Sequence, residues 1–183
     1  YPMNALANDQ AGRLAALLSG HSELGSITAA LFTGQKGPER TVVSSAGLIT
    51  DRAVIRSSAP DILLTNYKML DQMLLRESDT RIWEQSAHSL QYLVLDEFHT
   101  YDGAQGTDVS MLLRRLGLAL KSYWSDGDPR VTDADRARPL GRITPVATSA
   151  TLGDQGDPSA MLDFAETVFG EPFDATAAVT ESR

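Results

Sequence analysis

Three residues at the end of one apolar run have the types and spacing for phosphate or metal chemistry. The stretch QYLVLDEFHTYDG, residues 91–103, passes from branched apolar side chains directly into Asp96, Glu97 and, two further on, His99. A carboxylate at the end of a buried strand can hold Mg²⁺, usually through water, because this ion keeps much of its hydration and takes one or two protein carboxylates beside phosphate oxygens. A neighbouring glutamate can orient or deprotonate a water aimed at a γ-phosphate. Successive side chains diverge, so Asp96 is expected to face the metal and Glu97 the water, with the strand fixing both. Taken alone, the run is better served by Asp96 capping a following turn and Glu97 standing in solvent; only its context reverses that preference.

The elements that must position these residues are legible as periodicities. Four short apolar runs read as strands: 27–33 (ITAALFT), 61–65 (DILLT), 92–96 (YLVLD) and 143–148 (ITPVAT). Their apolarity is continuous rather than alternating, which predicts burial on both faces and a parallel sheet covered by helices. Helical spacing predicts helices over 4–19, 67–76, 107–124 and 158–169, the first stopped by Gly20 and the last by Gly170. In the first, Leu6, Leu14, Leu17 and Leu18 are expected to face inward. The alternation of strand and helix predicts an α/β fold with right-handed crossovers. Residues 125–141 (SDGDPRVTDADRARPLG) are polar and turn-rich and read as a surface loop.

The 183 residues include 42% apolar side chains, enough for one domain with a sizeable core. No run approaches a membrane span, no charged-then-apolar leader is visible, and there is no cysteine, which suits a reducing cytoplasm. The net charge of −8 argues against a stand-alone nucleic-acid binder but leaves room for local contacts to a phosphate backbone. The opening Tyr1-Pro2-Met3 and the ending Glu181-Ser182-Arg183 read as the ends of a segment from something longer.

Apolar-apolar-Asp96-Glu97-Phe98-His99 resembles motif II of superfamily 2 helicases of the DEAD/DEAH-box class. The resemblance continues in order. Residues 1–10 (YPMNALANDQ) resemble motif Ia, residues 61–70 (DILLTNYKML) the later threonine-containing motif, and residues 147–153 (ATSATLG) motif III, with Ser149-Ala150-Thr151 as its core. Residues 96–116 and 164–173 are similar to the YprA/Mrr-associated branch of bacterial DNA-repair helicases, relatives of which occur in phage defence. The resemblance implies a RecA-like (P-loop NTPase) domain over 1–172, with 173–183 leading towards a second RecA-like domain of the same parent chain. It implies ATP and Mg²⁺ as cofactors, with Asp96 on the metal, Glu97 on the water, and His99, Ser149, Ala150 and Thr151 relaying the nucleotide state. It places Pro2, Asn4, Thr65 and Asn66 on the backbone of a single strand, with DNA favoured by the branch. Asn4 is expected to cap the first helix while its amides face phosphate.

No Gly-x-x-x-x-Gly-Lys-Ser/Thr loop is present, and Gly34-Gln35-Lys36-Gly37 has the wrong spacing, so it reads as a turn. In the family that loop and its strand lie upstream of motif Ia. The expectation is that they are cut away and that these 183 residues alone hydrolyse no ATP. Two other readings stay open: a metal-dependent nuclease or hydrolase using Asp96, Glu97, His99 and Asp102 directly, and a non-catalytic module docking a protein through its acidic surface.

Overall fold

The structure is a computed structural model and describes residues 1–35, 37–150 and 159–179. The chain divides into two compact units, Tyr1–Ser89 and Leu90–Arg183.

The first unit is built on β1 (Ala29–Phe32) and β2 (Ile62–Thr65), which pair in parallel from Ala29 opposite Ile62 to Phe32 opposite Thr65. Residues around Ile49 flank the other edge of β1, with Leu31 N–H donating to Ile49 O at 2.9 Å. Helix α1 (Asn4–Gly20) buries Ala7, Ala11, Ala15 and Leu18, while Leu17 is half exposed. The inward face is thus rotated from the leucine stripe expected from hydropathy. Alanines at a four-residue spacing have little apolar signal, yet their short side chains let the helix lie close against Ala29, Leu48 and Leu64.

Helix α2 (Arg52–Ser57) starts where the Asp51 carboxylate accepts from Ala53 N–H at 2.8 Å and Val54 N–H at 3.1 Å. Helix α3 (Tyr67–Leu75) begins on Asn66, and α4 (Thr80–Ser86) follows a single 3₁₀ turn. Asp79, fully buried in that turn, is met by Arg56 Nε at 2.6 Å, which ties α2 to the start of α4.

The second unit pairs β3 (Tyr92–Leu95) in parallel with β4 (Thr144–Ala147). Helix α5 (Gly103–Lys121) links them, followed by α6 (Asp133–Ala137), and α7 (Ser159–Phe169) packs on α5. Both pairings are parallel, as expected, but two-sided burial is not found on β3. Tyr92 and Val94 are 63% and 53% exposed while Leu95 is buried, so β3 alternates although its sequence does not. An unbroken apolar run cannot say which of its two faces a neighbour covers.

Residues 125–141 are not a plain loop. Thr132 Oγ1 accepts from Asp135 N–H at 3.1 Å and the Asp135 carboxylate accepts from Thr132 N–H at 2.9 Å, a reciprocal cap that starts α6. Helix α5 begins four residues ahead of the expected 107 because residues 103–106 (GAQG), after the extended N-cap Asp102, are already helical. At Gly117, a Cβ would lie 2.0 Å from Pro139 O, so only glycine lets the segment leading into β4 approach α5 this closely. Helix α7 ends at Gly170 (φ 76°), and Arg114 holds that end through Val168 O at 2.9 Å. Among the described residues no helix is long and apolar enough to cross a membrane.

Candidate functional site

The Asp-Glu-x-His residues stand on a turn, not on the strand. β3 ends at Leu95, and Glu97 adopts left-handed backbone angles (φ 52°, ψ 47°), the sole non-glycine among the described residues with positive φ. A left-handed residue with a Cβ costs about 1–2 kcal/mol, so surrounding contacts must hold it there. Two are visible. Phe98 N–H donates to Thr148 O at 2.9 Å, and Thr100 N–H donates to Glu97 O at 2.8 Å, closing a 3₁₀ turn over Phe98–Thr100.

Phe98 supplies the apolar part of that hold. It is fully buried and stacks on Phe169 at 5.6 Å and 6°, with Phe164 at 4.9 Å and Tyr101 at 6.4 Å. The burial of one ring therefore turns the chain back on itself and leaves its two neighbours, Glu97 and His99, on the outside. Adjacent residues diverge, as expected from sequence, but the cause is a turn anchored by an aromatic cluster rather than strand geometry.

Asp96, Glu97 and His99 are drawn against the residues that follow β4. Thr148 N–H donates to Leu95 O at 3.0 Å, and the Thr148 hydroxyl donates to Asp96 Oδ1. His99 Nδ1 and Ser149 Oγ share a hydrogen bond of 3.0 Å, and the same nitrogen lies 3.6 Å from Glu97 Oε2. Roughly a third of each of the Glu97 and His99 side chains is exposed. Ala150 is exposed beside them, and Thr151 lies outside the described residues. Thr148 is the member of this group that sequence reasoning missed. It read as the last residue of a strand, and only the pairing of β3 with β4 brings it to Asp96.

As a metal ligand Asp96 fits a weakly coordinated, hydrated cation. Its Oδ1 takes the Thr148 hydroxyl, and among the described residues Oδ2 has no hydrogen-bond partner. Among the described residues no three His, Cys, Asp or Glu side chains gather as a metal-ligand set. One carboxylate is enough for Mg²⁺ that also binds phosphate oxygens. Asp102, the fourth residue of the nuclease reading, stands exposed at the start of α5.

The other candidate residues meet in the first unit. Asn4 and Asn66, far apart in sequence, join through Asn66 Nδ2 donating to Asn4 Oδ1 at 2.5 Å. Asn66 caps α3, its Oδ1 accepting from Met69 N–H at 2.8 Å. Thr65 Oγ1 donates to Phe32 O at 2.7 Å, and the Tyr1 nitrogen donates to Thr65 O at 3.1 Å. Asn4 is not a cap. Met3 occupies that position without a side-chain bond, and Asn4 is the first helical residue. Its carbonyl oxygen is drawn to Asn66, which leaves the first-turn amides of α1 uncapped. Pro2 is half-buried just ahead of them.

His21 is exposed beside Glu23, His88 is half-buried, and Arg114 is occupied at the end of α7.

A profile of the DEAD/DEAH box helicase family matches residues 1–156. The uncharacterized ATP-dependent helicase YprA of Bacillus subtilis is 30% identical over 168 residues, 90% of this chain and 20% of that protein. The Druantia protein DruE of Escherichia coli is 34% identical over 113 residues, 58% of this chain and 5% of that protein. The ATP-dependent helicase HRQ1 of Saccharomyces cerevisiae is 30% identical over 63% of this chain and 10% of its own length. Among solved structures, the DUF1998 helicase MrfA bound to DNA superposes with a TM-score of 0.61 at 26% identity, covering 93% of this chain and 18% of that one. The same helicase with DNA and AMPPNP gives 0.59 at 25%. The chain thus spans a fifth or less of the relatives it matches.

Proposed function

Because this chain belongs to the DEAD/DEAH box helicase family and has its RecA-like α/β fold, we propose that it supplies the hydrolytic and strand-holding residues of an ATP-dependent DNA helicase. The observation that supports this most is the closure of the Asp96–His99 turn onto Thr148 and Ser149. It sets two adjacent carboxylates and an imidazole against the segment that the family uses to relay nucleotide state, which supports reading them as the hydrolytic group. MrfA is bound to DNA and AMPPNP in its structures, which favours DNA and an adenine nucleotide here.

In this reading Asp96 Oδ2 holds the water shell of Mg²⁺. The cation, when bound, neutralises charge on the transferring phosphoryl group. Glu97, turned outward by its left-handed backbone, orients the attacking water and accepts its proton. His99, through Ser149, senses the position of Glu97 and passes it to residues 149–151. In the first unit, Asn66 fixes Asn4 and with it the uncapped amides of α1, which offer partial positive charge to a DNA phosphate. Pro2 and Thr65 shape the chain around them. Such contacts carry no base information, so binding is expected to be insensitive to sequence and sensitive to salt.

A Gly-x-x-x-x-Gly-Lys-Ser/Thr loop that would grip the triphosphate is not recognisable among these 183 residues. The domain 1–172 and the stretch 173–183 leading to a second RecA-like domain complete the proposal. Its test is Glu97→Gln in the intact helicase. Turnover should fall at least about 100-fold while nucleotide affinity stays within a few-fold, the usual weight of a general base. Hydrolysis at the normal rate overturns the reading.

A further inference from the structure

We infer that Thr148 is a positioning residue for the metal-side carboxylate, setting through its hydroxyl which oxygen of Asp96 faces the nucleotide cation. The inference rests on the proposed role of Asp96. Thr148 is engaged at three points: its N–H donates to Leu95 O at 3.0 Å, its carbonyl accepts from Phe98 N–H at 2.9 Å, and its hydroxyl donates to Asp96 Oδ1. The two backbone bonds bracket Asp96 and Glu97, so the Thr148 Cα keeps one place relative to them.

An aspartate carboxylate otherwise turns broadly about χ2. Bonded at Oδ1, it presents Oδ2 in one direction. The effect is preorganisation: the carboxylate does not have to be reoriented when the cation arrives. Thr148 also adjoins Ser149, which bonds His99. A shift of this segment would therefore reach the metal side through Thr148 and the water side through His99.

The test titrates Mg²⁺ into the intact helicase with a fluorescent, non-hydrolysable ATP analogue and follows the tightening of binding, with no turnover required. Thr148→Val keeps the shape and removes the hydroxyl. It should raise the Mg²⁺ concentration for half-maximal tightening roughly tenfold, the order of one hydrogen bond to a charged group. Metal-free affinity for the analogue should not change. Thr148→Ser, which restores the hydroxyl, should return to within about threefold of wild type. A Thr148→Val protein with the wild-type Mg²⁺ dependence, or a Thr148→Ser protein as impaired as Thr148→Val, overturns the inference. Asp96→Asn separates the two claims. If it abolishes the Mg²⁺ effect while Thr148→Val is silent, the role of Asp96 stands and that of Thr148 falls. If Asp96→Asn leaves the effect intact, both fall.

Discussion

The candidate residues of the first unit spend their side chains on hydrogen bonds, whereas those around Asp96 in the second keep side-chain atoms partly exposed. Asn4, Thr65 and Asn66 use their side chains to bond Phe32 O, Met69 N–H and one another. Their backbones are regular, and what they leave over is a row of main-chain amides. Around Asp96 the pattern reverses. Main-chain groups are paired across β3 and β4, Glu97 sits in a left-handed conformation, and carboxylate and imidazole atoms remain partly exposed. A surface that only grips phosphate can be made from satisfied, unstrained structure. A site that moves a proton has to keep side-chain atoms in reserve, and the fold must compensate for that nearby.

Phe98 is that compensation, and its removal gives the largest effect expected. Phe98→Ala takes a fully buried ring out of a four-ring cluster and should destabilise the second unit by about 3–5 kcal/mol in denaturant unfolding, leaving the first unit's transition in place. One common loss in both units would erase the contrast.

Glu97→Gly sharpens the contrast from the other side. Glycine adopts φ 52° freely. Stability should hold or rise by up to about 1 kcal/mol while ATP turnover in the intact helicase falls about 100-fold or more. Thermal melts and steady-state assays on one preparation read both. A clear loss of stability would mean that the left-handed turn is not strained.

Asn66→Ala should cost the first unit about 1 kcal/mol through the lost cap and release Asn4. DNA affinity should fall with little change in nucleotide affinity, measured by anisotropy with a labelled strand. Equal losses for DNA and nucleotide would break the division of labour.

The smallest effect is at Asp61, whose carboxyl the Thr28 N–H and then the Thr28 hydroxyl hold below its ordinary value of 3.8. A depressed folded value means its contribution is present above the unfolded value and is lost as pH falls through the lower folded one. Asp61→Asn should melt slightly earlier than wild type at neutral pH, and the two curves should converge as pH falls through the lowered folded value.

Much of this was legible in the amino-acid string because the signals are local. Each expected strand and long helix forms, within a few residues at its ends, since apolar run length and helical spacing depend on neighbours in the chain. The ordered motifs identified the family for the same reason. The inward face of α1 was misread because alanine has little hydropathy, and α6 was missed although Thr132 and Asp135 carry a capping signal at the right spacing.

What the string determined alone is that acids and hydroxyls follow the strand runs directly, to within a residue of each strand end. What only the tertiary structure decided is their orientation. The left-handed Glu97, the Thr148 bond to Asp96 and the meeting of Asn4 with Asn66 each join residues distant in sequence, or depend on an aromatic cluster assembled from α7 and the turn. Such contacts leave no trace in local periodicity, because they arise only when one strand or helix is laid beside another.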